Sequence, residues 1–266
     1  MAGHPSFDEV VDVLQEIAPL ELAAEWDNVG LVLAPHARPR PVARVLLTID
    51  LTEAVVAEAK KLRTGLAVAY HPPIFHPWKR LAAGDPGQAA ALAAFAAGIA
   101  VYSPHTALDA APGGIADWLC EGLCGGAAPA SLSPCGDGEF GRMLELATPV
   151  TVQALLPRIK KLLGVKSLRV AHTAAGLAQR VRRIAVAAGS GGSVLRGQRA
   201  DLWLTGELSH HDALAAVAAG TTVVLGEHSN TERGYLKVLA KRLQDPFGSR
   251  LDVRISGVDR DPYEIA

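Results

Sequence analysis

Three short apolar runs in this chain each end on a histidine, which narrows both the fold and the chemistry it can carry. Gly65-Leu-Ala-Val-Ala-Tyr70 delivers His71 into Pro72-Pro73, the run at 99–103 leads to His105, and the run at 221–226 leads to His228. Short apolar runs bounded by turn residues read as buried strands. Helical stretches alternate with them. The stretch at 85–97 opens on Asp85-Pro86, an Asp cap with proline at the first helical position. The order βαβαβα predicts an α/β fold with mainly parallel sheets and helices on their faces. In open α/β sheets, ligands bind beyond the carboxyl ends of the strands, and His71, His105, Glu207 and His228 all fall there.

Two of these histidines stand four residues before a carboxylate: His105 before Asp109, and His228 before Glu232. On a helical turn, i and i+4 share a face, so each pair can aim both donors at one spot. Imidazole nitrogen with carboxylate oxygen is the donor mixture of Zn, Fe or Mn sites. His71, His105, Asp109, His228 and Glu232 together are enough for one or two divalent metal ions per subunit. A plainer reading exists for each: a carboxylate favoured near a helix N-terminus, or, for His71, a turn residue before two prolines. Two cations about 3.5–4 Å apart that share a carboxylate can acidify a water and polarise the bond it attacks. Such a centre suits hydrolysis of an amidine-like ring carbon, an amide or a phosphate ester.

Along the chain, Ser6-Phe-Asp-Glu9 has capping-box spacing and opens a helix that Pro19 ends. A short apolar run, Leu31 to Ala34, precedes a loop rich in Pro and Arg. Val42 to Ile49 reads as a strand, with Asp50 or Thr52 capping a helix to about Arg63, and a further helix is expected near 113–124. Residues 126–138, rich in Gly, Pro and Ser, read as a linker between a first domain at 1–125 and a second at 139–266. In the second domain, strands are expected at 140–147, 166–172, 182–188, 201–205, 221–226 and 251–256. Its helices are expected at 151–163, 210–219 and 231–243.

Thr205-Gly-Glu207 is followed by Ser209-His-His-Asp212, where Ser209 can cap a helix. Glu207 and His211 are the candidates for catalytic proton carriers or for groups that orient the metal ligands. Gly189-Ser-Gly-Gly-Ser193 reads either as a phosphate nest or as a tight strand-to-helix turn. It lacks the lysine of a Walker loop, which favours the turn. Trp26-Asp27-Asn28 either lines the site opening or caps a local turn.

Composition removes whole classes of partner. A net charge of −1 gives no reason to expect a nucleic acid. Arg180-Val-Arg-Arg183 reads as the solvated start of a strand. Cys120, Cys124 and Cys135 make no disulfide framework, which fits a reducing compartment. The polar N-terminus does not read as a signal peptide, and Ala89 to Tyr102 is too short to span a bilayer, which needs about 20 residues. A cytoplasmic protein with no membrane partner is the expectation. With 5% aromatic residues, no aromatic-lined base pocket is legible.

Trp26-Asp-Asn-Val-Gly30, Tyr70-His-Pro-Pro-Ile-Phe75, Ser103-Pro-His-Thr-Ala-Leu-Asp109, Thr205-Gly-Glu-Leu-Ser-His-His-Asp212 and Gly226-Glu-His-Ser-Asn-Thr-Glu-Arg233 occur in that order. In these motifs the chain resembles the NIF-three-like (Ngg-interacting-factor-three-like) family, whose members carry the label GTP cyclohydrolase I type 2 homologues, over residues 6 to 256. Their wording is nearer the eukaryotic-like branch. The resemblance implies two interlocked α/β domains, with 226–266 packing back on the first and supplying His228 and Glu232. It also implies a dinuclear metal centre and a toroidal homohexamer. Carried across residue by residue, the ligands are His71, His105, Asp109, His228 and Glu232. The family's usual sixth ligand, a histidine, is Tyr70 here, which predicts one cation held less tightly than the other. The expected function is that of a metal-dependent hydrolase acting on a small nucleotide-like molecule. The alternative is a metal-binding interaction or metal-handling protein without turnover.

Overall fold

A computed structural model describes residues 3–35 and 41–264. Most of the Pro- and Arg-rich loop therefore lies outside the described residues. In chain order the elements are α1 (Phe7–Ile17), β1 (Gly30–Leu33), β2 (Arg44–Thr48), α2 (Glu53–Lys61), β3 (Leu66–Ala69), α3 (Pro86–Ala96), β4 (Ala100–Ser103) and α4 (His105–Ala110). There follow α5 (Ile115–Cys124), β5 (Pro129–Cys135), β6 (Gly141–Thr151), α6 (Val152–Leu163), β7 (Arg169–Ala171) and β8 (Arg180–Val186). The last are α7 (Gly192–Leu195), β9 (Leu202–Thr205), α8 (His210–Ala218), β10 (Thr222–Leu225), α9 (Asn230–Arg233), α10 (Leu236–Gln244) and β11 (Asp252–Ile255). The local rules hold where they were clearest. Ser6 and Glu9 form a reciprocal capping box, and Asp85 accepts from the Gln88 amide with Pro86 at the first helical position. Such a cap contributes about 1 kcal/mol.

The described residues of Met1–Ala111 and Tyr235–Arg260 form one compact unit, and those of Pro112–Gly234 and Asp261–Ala266 a second. The chain thus enters each unit twice. In the first unit the sheet order is β1-β4-β3-β2-β11, parallel except for β1 against β4. Strands β3 and β4 are buried throughout, as strands covered on both faces must be. Leu46, Ala67, Ala69 and Val101 pack against Val55, Val56 and Ala59 of α2 and Ala94 of α3.

In the second unit the order is β5-β6-β8-β9-β10-β7. Only β8, β9 and β10 are mutually parallel; β5, β6 and β7 run against their neighbours, so this sheet is mixed rather than mainly parallel. Residues read as a linker supply its edge: Pro129–Cys135 is strand β5, paired with β6. Its Pro and Ser residues suit an edge exposed on both faces, and the hydrophobic alternation that marks a half-buried strand is missing there. The stretch read as one helix at 231–243 is divided into α9 and α10 on either side of Gly234-Tyr235.

Cys120 and Cys135 are buried and Cys124 half-buried, and all three thiols are free. Burial pushes their pKa values up, that of Cys135 to about 11, as for small packing residues. Among the described residues, no helix is long and apolar enough to cross a membrane.

Candidate metal centre

In the first unit, the ladder between β2 and β3 continues past the strand ends, with the Tyr70 and His71 amides donating to the Thr48 and Ile49 carbonyls. His71 thus leaves the carboxyl end of β3 beside Asp50, which leaves that of β2. His71 Nδ1 lies 2.9 Å from Asp50 Oδ1. The helix cap expected of Asp50 or Thr52 belongs to Thr52, and Asp50 serves the histidine instead. His105 begins α4 with a positive φ of 24°, a backbone strain that persists only where surroundings enforce it. What enforces it is Asp27. Its carboxylate, 0% exposed, lies 2.8 Å from His105 Nδ1 and accepts from the Thr106 amide at 3.1 Å. Burial pushes the Asp27 carboxyl up, but the His105 and Thr106 hydrogen bonds outweigh it and hold it below the usual range.

Asp109 follows on α4, and the buried Tyr70 phenol donates to its Oδ1 at 2.7 Å. The His71 and His105 rings stand 5.4 Å apart, centre to centre, with Tyr70 4.9 Å from the first and 5.4 Å from the second. Two exposed aromatics flank His105: Trp26 at 6.2 Å and Phe75 at 6.1 Å. The unit therefore gathers His71, His105 and Asp109. It also reveals two carboxylates, Asp27 and Asp50, whose part in the site a cap-or-turn reading left undecided.

In the second unit, β10 runs out through Gly226 and Glu227, another residue at positive φ (64°), to His228. Glu232, 1% exposed, sits on α9 with its Oε1 3.3 Å from His228 Nε2. On the far side of the ring, Nδ1 pairs with Glu207, which leaves the carboxyl end of β9. Close approach of three loops demands glycine. A Cβ on Gly189 (φ 56°) would meet Glu232 Oε1 at 2.6 Å, and one on Gly206 would meet the Gly189 carbonyl at 2.6 Å. In the Gly189–Ser193 loop, the Gly189 and Gly191 amides already donate to the Thr231 and Thr205 hydroxyls. That is the tight turn, with two of the amides a phosphate nest would need engaged elsewhere. His211 is exposed in the first turn of α8, its ring 5.4 Å from that of His210, while Ser209 caps the helix. It is Glu207, not His211, that sits on His228.

All three histidines therefore share one arrangement, a carboxylate at Nδ1, the contact that orients the ring of a metal-ligating histidine. At His228, Nε2 and the Glu232 Oε1 stand side by side at 3.3 Å, a nitrogen and an oxygen donor on one spot. A tetrahedral metal with bonds of about 2.0–2.2 Å spaces its donors by about 3.4 Å. The donor set fits a metal of the Zn, Fe or Mn kind.

The sequence profile of Duf34/NIF3 (NGG1p interacting factor 3) matches residues 5–262. The chain belongs to this family. It is 45% identical to the NIF3 homolog of Schizosaccharomyces pombe over 94% of each chain. It is 40% identical to NIF3-like protein 1 of Drosophila melanogaster, over 95% of this chain and 87% of that one. The family placement and its eukaryotic leaning, read from the motifs, are thus established. A solved structure of a Bacillus cereus protein related to NIF3 has the same fold, with a TM-score of 0.84 at 21% identity over the whole of both chains.

Proposed function

We propose that the chain is a metal-dependent hydrolase with a dinuclear centre, acting on a small nucleotide-like molecule. The observation that carries this reading is the pairing of His71, His105 and His228 through Nδ1 with Asp50, Asp27 and Glu207, the orienting contact that metal-ligating histidines carry. In this reading the ligands are those the family resemblance implies: His71, His105, Asp109, His228 and Glu232. Bound metal would supply an acidified water and a polarised scissile bond. The protein's part is orientation: Asp27, Asp50 and Glu207 fix the imidazole rings, and Tyr70 fixes Asp109. Glu207 is thereby a positioning group, and His211 has no part in this reading. Trp26 and Phe75, exposed beside His105 with their rings tilted by 58°, offer apolar ring faces for a heterocyclic substrate, which supports the nucleotide-like class.

Protein purified without chelators should carry one to two equivalents of Zn, Fe or Mn. Replacing Asp109 or Glu232 should empty the site more than replacing any one histidine. Hydrolysis of a nucleotide or phosphoester that vanishes in His228→Ala supports the enzyme. Absence of metal, with no uptake on reconstitution, overturns the whole reading. Metal without turnover, but with partner binding that needs it, replaces it with a metal-handling role. As in the sequence reading, the assembly proposed is a homohexamer, checked by light scattering, and a monomer at micromolar concentration refutes it.

A further inference from the structure

The second unit carries a separate cavity, of about 570 Å³, at the other end of its parallel strands. His228 and Glu207 follow the carboxyl ends of β10 and β9. The cavity is instead bordered by Asp201 and Thr221, which precede the amino ends of the same strands. At about 3.3 Å per residue, the two ends of such strands stand roughly 15 Å or more apart. Arg183 enters from β8, while Arg196 and Arg199 come from the turn between α7 and β9. One wall is the small-residue face of α8, including Ala215 and Ala216, which keeps the space open.

The acids around this cavity are already engaged. Asp201 accepts from the Arg182 and Arg183 backbone amides at 2.8 and 2.9 Å. Asp212 takes Arg196 in a two-pronged pair, both contacts at 3.1 Å, and also accepts from the Ser209 hydroxyl. The guanidinium groups of Arg183 and Arg199 have no hydrogen-bond or ion-pair partner among the described residues. The turn that carries Arg199 is nonetheless fixed. The Trp203 indole donates to the Gln198 carbonyl at 3.1 Å, and the Thr221 hydroxyl to the Ala200 carbonyl at 2.7 Å. Two uncommitted guanidiniums on pinned backbone, from separate elements, face one cavity whose own carboxylates are engaged by other partners.

We propose that this cavity binds a small phosphomonoester, with Arg183 and Arg199 clamping the phosphate. A doubly charged phosphate matches two guanidiniums, whereas a carboxylate would satisfy one. The volume lies in the range of small-molecule pockets and leaves room for a sugar-sized body beyond the phosphate. This site is independent of the metal centre and would place the binding of a phosphorylated ligand on a face that carries none of the proposed metal ligands.

Titration calorimetry on the full, metal-loaded chain tests it, with ribose 5-phosphate, ribose and inorganic phosphate as probes. Ribose 5-phosphate should bind and ribose should not, with phosphate alone weaker than the sugar phosphate. Arg183→Ala and Arg199→Ala should each weaken binding at least about tenfold, both being exposed positions that tolerate truncation. His228→Ala should leave it unchanged, and so should Arg254→Ala, an arginine of the first unit. Binding lost in His228→Ala but kept in the double arginine variant would place the phosphate on the metals and overturn the proposal. Equal weakening by Arg254→Ala would reduce it to non-specific charge. Phosphate binding as tightly as the sugar phosphate, or no binding at millimolar probe, would overturn it.

Discussion

In the first unit the carboxylate that holds a site histidine is sealed: Asp27 is 0% exposed and its partner His105 14%. In the second, Glu207 is 52% exposed and His228 38%. The chemistry of the two pairs is the same, but their energetic setting is not. A buried carboxylate that accepts from a ring and a backbone amide cannot be lost without stranding those donors away from water. An exposed one can be replaced by solvent. Half of the proposed centre is thus organised by the core itself, and the other half by a contact that water competes for.

The largest effect should come from Asp27→Ala. Breaking a buried pair is worth about 3–5 kcal/mol, and losing a group that orients a metal ligand weakens metal binding about 10–100-fold. Urea unfolding and elemental analysis should both register it, and a variant as stable as the parent would erase the contrast. Next is Tyr70→Phe, which removes a buried hydrogen bond to a carboxylate worth about 1.5–3 kcal/mol. Tyr70→His should instead add a sixth donor and tighten the second cation. Calorimetry that finds two equally tight sites in the parent, with no gain in Tyr70→His, refutes the idea of unequal cations.

Glu207→Ala should leave stability within about 1 kcal/mol of the parent, as expected for an exposed pair, while still loosening the metal. A loss of stability as large as that of Asp27→Ala would show that the second half is no softer than the first. The smallest effect concerns acid. Arg254 and then Arg44 outweigh burial and hold the Asp252 carboxyl below its ordinary range. A carboxyl whose folded pKa is depressed stabilises above the unfolded value, about 3.9, and that contribution fades as pH falls through the folded value. Acid unfolding of Asp252→Asn should therefore differ from the parent only slightly, at neutral pH, and converge with it in strong acid.

The five donors and the strand ends that carry them were legible because hydrophobic runs and i,i+4 spacing are local signals. Asp27 and Asp50 were not read as partners of particular histidines, since His105 and His71 meet them across 78 and 21 residues of chain. An Asp after a strand looks equally like a helix cap. Strand β5 was missed for a related reason: an edge strand exposed on both faces carries no alternation, and its prolines and serines imitate a linker. The crossing of the chain between units left no mark in composition. Arg183 was read as solvated strand surface, and only its position against the α7–β9 turn reveals a cavity.

Strand β11 has a consequence for how the molecule is made. It lies beside β2, with Asp252 opposite Arg44, a partner 208 residues earlier in the chain. During synthesis the first sheet must wait with one side of β2 open until residue 255 has left the ribosome. Closing so long a loop costs on the order of 5 kcal/mol in chain entropy beyond the constant term, recovered only when β11 and α10 arrive together. A nascent chain stalled before residue 235 would therefore present an unpaired, apolar strand edge to the cell, a substrate for chaperones rather than a smaller working protein.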